Sequence, residues 1–284
     1  MPARYSRAPA SRARVGKRGR IEPMLTSETP PIRFVASPDG LALASYEFGA
    51  VEHPTVIAVH GFASSALLNW FSSGWVRYLL RAGFRVILLD QRGHGASAKP
   101  HEPERYTMQA LVADVVAVLD AYEIDRAHYI GYSLGARVGW HAALQLPERI
   151  DRAVLGGIPS GDPLTSFRLD EARAFVADGT EIADRLTRTY LTMAESIPGN
   201  DLAALIALVE GMRGGQQPDP ANPPTQPILF ATGVEDRIID GSRSLAAAAP
   251  HGSFFEIPGR HHFNAPTSRA FREAAVGFLT GQEA

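Results

Sequence analysis

Ala127-His128-Tyr129-Ile130-Gly131-Tyr132-Ser133-Leu134-Gly135, running on into Ala136 to Leu146, is the stretch on which the fold turns. Its first five residues form a short apolar run of the kind found in buried strands. Residues 134 to 146 have helical spacing. Between them stands Gly-x-Ser-x-Gly, a pattern that says little alone but much where it closes a strand and opens a helix. Such a turn is sharp enough to force Ser133 into a strained backbone conformation. Side chains two positions before and after it would collide, so both positions require glycine. The hydroxyl is then lifted clear of the strand. The amide of Leu134 stands at a helix N-terminus, unused and able to meet a developing negative charge. The competing reading is a glycine-bearing turn with an incidental serine.

Working outward, Ile32 to Phe48 reads as a hairpin around the turn signal Ser37-Pro38-Asp39-Gly40. Apolar runs recur at Thr55–Val59, Arg85–Asp90, Arg152–Gly156, Pro227–Ala231 and Ser253–Ile257. Runs apolar on both faces suit parallel strands covered by helices. Helices are expected over 107–122, 134–146, 241–249 and 267–279. Strand and helix alternate, which predicts an α/β fold with a doubly wound, mostly parallel sheet. The alternation stops between Pro159 and Pro224. That interval offers helical pieces at 170–177, 181–193 and 201–212, and ends in the linker Gly214-Gly215-Gln216-Gln217-Pro218. The expected organisation is a core over 31–158 and 225–284, with a short helical cap inserted over 159–224.

A serine hydroxyl is a weak nucleophile at neutral pH. It needs an imidazole to take its proton and a carboxylate to orient that imidazole. After an elbow of this type the acid comes next along the chain, then the histidine. His261 and His262 follow the last apolar run, and His262 is the preferred base. His251 precedes that run, at its wrong end. Asp236, after the fifth buried run, is the preferred acid. Glu235 beside it and Asp162 after the fourth run are the alternatives. His60-Gly61-Phe62 ends the first buried run, and the amide of Phe62 is the expected second oxyanion donor beside that of Leu134. His60 itself is expected to brace its loop.

The 284 residues suit one domain with a modest insertion. A hydrophobic share of 45% and a charged share of 20% are ordinary for a globular chain. The formal charge of −2 divides into +7 over residues 1–20 and −9 over the rest. The basic arm, counted as residues 1–30, is poor in large apolar residues and is expected to be a disordered tail. Neither nucleic acid nor a membrane surface is implied as a partner. There is no cysteine, which excludes disulfides, thiolate nucleophiles and cysteine-based zinc sites. No export signal is visible, so a cytoplasmic location is the default.

Taken together these residues resemble the α/β-hydrolase superfamily, and within it the branch of small esterases, proline iminopeptidases, cofactor-free haloperoxidases, enol-lactonases and epoxide hydrolases. The likeness rests on His60-Gly61-Phe62, on Asp90-Gln91-Arg92-Gly93-His94-Gly95-Ala96-Ser97, on the elbow, and on Pro258-Gly259 followed by His262. Epoxide hydrolases of this fold use an aspartate nucleophile, whereas position 133 is serine. The resemblance implies a serine hydrolase with Ser133, His262 and Asp236 as its triad, an oxyanion hole from Phe62 and Leu134, and no metal or organic cofactor. Asp90, Arg92 and His94 read as loop-bracing residues. The expected partner is a small to medium carboxylic ester, with lactone, thioester, amide or carbon–carbon cleavage as alternatives. A low-turnover binding protein of the same fold is the reading from another class. Leu164, Phe167, Phe175, Leu186, Tyr190, Leu191 and Met193 are the candidate cap lining. Arg168, Arg173, Arg185 and Arg188 read as solvated helix faces, or as the mark of an anionic substrate.

Overall fold

The structure is a computed structural model in which residues 29–282 are described. The expectation for the basic arm falls outside them, apart from its last two residues. Eight strands form one sheet: β1 (Arg33–Ala36), β2 (Ala42–Phe48), β3 (Thr55–Val59), β4 (Arg85–Leu89), β5 (Ala127–Tyr132), β6 (Ile150–Gly156), β7 (Ile228–Gly233) and β8 (Gly252–Ile257). Their spatial order is β1-β2-β4-β3-β5-β6-β7-β8. The β1–β2 and β2–β4 pairs are antiparallel and every other pair is parallel. The hairpin turns where Ser37 Oγ accepts from the Leu41 amide at 2.8 Å.

Side chains in the central strands alternate between two cores. In β3, Ile57 and Val59 face one core while Val56 and Ala58 face the other; β4 divides Ile87 and Leu89 from Val86 and Leu88 in the same way. This is the strand period of two acting on runs that are apolar throughout. Helices α2 (Met108–Ala121), α3 (Leu134–Gln145) and α7 (Ile239–Ala248) cover the first face, and α1 (Trp75–Arg81) and α8 (Arg269–Leu279) the second. α1 was not expected from the sequence. It follows a π-helical turn at Leu67–Ser72, and Trp70, Trp75, Val76 and Leu79 fill the space under it.

Between β6 and β7 the chain makes α4 (Leu169–Asp178), α5 (Arg185–Glu195) and α6 (Leu202–Met212), with no strand in that interval. Asp184 caps α5 by accepting from the Thr187 amide, and Asp201 caps α6 by accepting from Ala204. α6 is buried along most of its length, so it is a core element as much as a cover.

In chain order, β3 connects to β4 on one side of it, and the chain then returns to place β5 on the other. The crevice at the carboxyl ends of β3 and β5 is therefore the switch point of the sheet, where open α/β sheets hold their ligands. Phe62 follows β3 and Ser133 follows β5.

Candidate active site

Ser133 has φ 53° and ψ −110°, a conformation that side chains rarely occupy. Its surroundings enforce the strain. A Cβ on Gly131 would stand 2.3 Å from the Gly135 carbonyl oxygen, and one on Gly135 would stand 2.1 Å from that of Val59. Glycine at both positions lets α3 start directly against β3 and β5.

The elbow carries the hydroxyl to His262, whose Nε2 lies 2.9 Å from Ser133 Oγ. On the other side of the ring, Nδ1 lies 2.7 Å from Asp236 Oδ2. A carboxylate only accepts, so Nδ1 donates to Asp236 and Nε2 is free to accept from the serine. Asp236 is itself fixed, since its Oδ1 accepts from the Ile238 amide at 3.2 Å. The histidine loop is tied down by Tyr132, whose hydroxyl donates to the His262 carbonyl at 2.5 Å. The alternatives for the acid and base do not reach this chain. Glu235 and His261 are exposed, and Asp162 Oδ1 accepts from the Leu164 amide at 3.0 Å.

The amides of Phe62 and Leu134 donate to no protein acceptor among the described residues. Their flanks are held elsewhere: the Ser133 amide donates to Gly156, and the Ala63 amide to His94 Nε2. His60 braces the loop. Its Nδ1 donates to the Gly61 carbonyl at 2.8 Å and its Nε2 accepts from the Gln91 amide at 3.1 Å. Burial pushes its pKa down to about 4, so the ring is neutral. Asp90 Oδ1 lies 3.9 Å from Nε2, but that nitrogen is already an acceptor and the contact is no ion pair.

The loop after β4 is structural throughout. Asp90 accepts from the Ala66 and Ala96 amides and from the Tyr46 hydroxyl. Arg92 makes a bidentate pair with Asp114 at 2.7 and 2.6 Å, pairs with Asp39 at 2.9 Å, and donates to the Arg105 carbonyl. His94 Nδ1 donates to the Arg92 carbonyl, and burial lowers its pKa to about 3.

Two cavities meet at Ser133. The inner one has a volume of about 310 Å³ and the outer cleft about 720 Å³. Of the cap residues expected to line a pocket, Leu164, Tyr190 and Met193 face the inner cavity, and Leu186 faces the outer cleft. Phe167, Phe175 and Leu191 face neither, because they turn into the core between the helices. Ile197, Leu208, Val209 and Met212 take their place on the inner wall. Sequence reasoning also missed Arg137, which lines the inner cavity at 3% exposure. Its position four residues after Ser133 is the available signal, since residues at that spacing share a helix face. Of the four arginines singled out between residues 159 and 224, Arg168 and Arg173 lie near carboxylates on exposed surface, and only Arg185 lines either of the cavities at Ser133.

The model of the alpha/beta hydrolase fold matches residues 54–180, from β3 through the elbow to α4. The chain belongs to the α/β-hydrolase superfamily. A solved hydrolase from Pseudomonas aeruginosa superimposes on this α/β-hydrolase with a TM-score of 0.71 at 27% identity, over 87% of this chain and 98% of the other. A Caulobacter protein named carbamate hydrolase RutD is 27% identical over 269 residues, 87% of this chain and 98% of its own length. Epoxide hydrolase A of Mycobacterium tuberculosis is 30% identical over 213 residues, 68% of this chain and 65% of that protein. No helix among the described residues of this α/β-hydrolase is long and apolar enough to cross a membrane.

Proposed function

We propose that this α/β-hydrolase cleaves small to medium carboxylic esters through an acyl-enzyme intermediate. The observation that carries the reading is the unbroken chain Asp236–His262–Ser133, at 2.7 and 2.9 Å, ending beside two unused amides at the mouth of a largely apolar cavity. Ser133 attacks the ester carbonyl and His262 takes its proton. The oxyanion accepts from the Phe62 and Leu134 amides. His262 then protonates the leaving alcohol, and water activated by the same imidazole releases the acid. Asp236 holds the tautomer and stabilises the imidazolium. The residues supply every proton transfer themselves, and the reading assigns the reaction no cofactor.

A carbamate is a second substrate for the same machinery, because its carbonyl carbon is open to the same attack; the full-length likeness to RutD favours including it. Epoxide opening fits less well, since a serine ether formed on carbon has no carbonyl for water to attack. The reading takes the enzyme to work in the cytoplasm on a small-molecule substrate.

The test is a p-nitrophenyl ester series from acetate to myristate, run beside carbamates and with fluorophosphonate labelling. Each buried methylene contributes about 0.8 kcal/mol until the cavity is full, so kcat/KM should climb and then fall at short to medium chains. Labelling at a serine other than Ser133, full turnover in Ser133→Ala, or a maximum at myristate would refute the proposal.

A further inference from the structure

Three arginines are buried among the described residues, and they are treated differently. Arg85 pairs with Glu47 at 2.6 Å. Arg92 has two carboxylates and a carbonyl around it. Arg137, at 3% exposure, has one hydrogen bond: Nη2 donates to the amide oxygen of Gln217 at 2.8 Å. Its Nε is buried with no partner. Asp162 faces it across the cavity, acting through its charge without pairing. Burial pushes the guanidinium pKa down, and the neighbouring His141, also buried on α3, is lowered by burial and by the Arg137 charge. A buried cation left so short of acceptors is costly, and proteins avoid it unless something arrives to complete the pairing.

Arg137 lines the inner cavity, and its Nη1, unlike Nε, is not sealed off and takes no protein partner, so the inner cavity is where an acceptor can reach it. The Arg137 amide donates to the Ser133 carbonyl at 3.0 Å, so the arginine stands one helical turn on from the nucleophile. Leu164, Met193, Leu208, Val209 and Met212 make the surrounding wall apolar. In such a wall a planar guanidinium is matched by a planar carboxylate, which takes two parallel charge-assisted hydrogen bonds.

We infer that Arg137 is a specificity-determining residue that binds a carboxylate on the acyl part of the substrate, making the natural substrate an ester of a short dicarboxylic acid. The inference rests on the acyl-enzyme reading of Ser133. Ser133 and Arg137 line the same inner cavity of about 310 Å³. A cavity of that size holds only a short acyl chain between the scissile carbonyl and the carboxylate. The exposed cap arginines are not needed for this recognition.

The experiment compares p-nitrophenyl hydrogen glutarate with p-nitrophenyl pentanoate, corrected for uncatalysed hydrolysis, on the wild type, Arg137→Met and Arg137→Lys. Binding of glutarate and pentanoate to the wild type is measured by calorimetry. A charge-assisted hydrogen bond predicts a wild-type kcat/KM ratio on the order of 10–100 in favour of the hydrogen glutarate. That ratio should drop to one or below in Arg137→Met and return in large part in Arg137→Lys. Glutarate should bind the wild type at least tenfold more tightly than pentanoate. A wild-type ratio of one or less with equal acid binding, or a ratio unchanged in Arg137→Met, overturns the inference. Should Arg137→Met fail to fold, the wild-type ratios and the lysine variant still decide. Failure of the acyl-enzyme reading looks different: neither ester turns over and Ser133 takes no fluorophosphonate label, while the acid-binding comparison still reads Arg137.

Discussion

Gly135→Ala tests whether the elbow needs glycine for steric reasons. Alanine is the better helix former by about 1 kcal/mol, so propensity alone predicts a small gain in stability. The structure predicts a loss. The new Cβ would lie 2.1 Å from the Val59 oxygen and 2.6 Å from the His60 oxygen, and both contacts are backbone. An ordinary carbon–oxygen contact is about 3.3 Å, so the start of α3 must withdraw from the end of β3 by about 1 Å. Overpacking of this kind costs about 1–3 kcal/mol, and the short contact places Gly135→Ala at the upper end even after the helical gain. For a domain of this size that lowers Tm by several degrees. The same movement separates the Leu134 amide from the Phe62 amide, because Phe62 follows directly from β3. An oxyanion donor misplaced by about 1 Å is close to a donor lost, so kcat should fall on the order of 10²–10³-fold. The assay is p-nitrophenyl butyrate turnover, normalised to the sites that a fluorophosphonate titrates, with a thermal melt of the same sample. Gly61→Ala serves as the graded comparison: its Cβ would meet Ser133 Cβ at 3.3 Å, so a few tenths of an ångström suffice and the effect should be much smaller. A Gly135→Ala protein with unchanged Tm and kcat within threefold of the wild type would refute the reasoning, as would Gly61→Ala proving the worse of the two.

Asp236→Asn should lower kcat by about 10³–10⁴-fold, because an amide facing Nδ1 no longer fixes the tautomer in which Nε2 accepts from Ser133. Steady-state rates at pH 7–8 measure it, and a loss under tenfold would count against Asp236. Tyr190→Ala should raise KM roughly 3–10-fold and flatten the acyl-length profile, since the ring packs on Phe62 and Phe263 at 5.8 and 5.9 Å and walls both cavities. An unchanged profile would show that the wall lies elsewhere. Acid should destabilise the fold well before the carboxylates titrate. His60 and His94 are held neutral down to about pH 4 and about pH 3, while the unfolded chain protonates them below about 6.5. The unfolded state then binds more protons, so stability falls with pH from about 6.5 and the loss is complete only near those lower values, at most about 3 kcal/mol each by pH 4. Asp39, whose pKa is held low by Arg92, adds a loss of its own below about 3.8. Urea midpoints between pH 7 and 4 measure the slope, and a flat profile would refute the histidine assignment.

The parts of this fold legible in the sequence are those where one local rule decides the answer. Val56-Ile57-Ala58-Val59 can only be a strand buried on both faces, and Ser37-Pro38-Asp39-Gly40 can only turn. The elbow was legible for the same reason. Two residues within five, Gly131 and Gly135, are dictated by backbone sterics, and the structure shows the contacts that a side chain at either would violate. Asp236 and His262 were found by chain order after the elbow, and their meeting with Ser133 then depended on β7 and β8 lying side by side. What the sequence hid is what long-range packing decides. α1 is seven residues long and starts after Gly74 in the left-handed region, too short for a helical stripe to show. Phe167 and Leu191 look like lining residues because they are apolar in an interval expected to form a cap, but packing among the segments between β6 and β7 buries them, and that packing is written in no single segment.

Arg137 was hidden more completely. Along α3 it reads as one polar residue on a mostly apolar helix, and an arginine there is usually a snorkelling side chain with its head in water. Only the fold shows otherwise: α2, β5 and β6 pack on α3, and the guanidinium is left at the inner cavity with Gln217 as its one side-chain partner. Polar residues that break a local rule without local compensation are where a sequence departs from what folding alone requires. Arg92 breaks the rule and is compensated in full by Asp39 and Asp114. Arg137 breaks it and is not. The two residues have the same side chain and nearly the same exposure, so composition and burial do not separate them. The count of acceptors does, and it places the deficit one helical turn from Ser133.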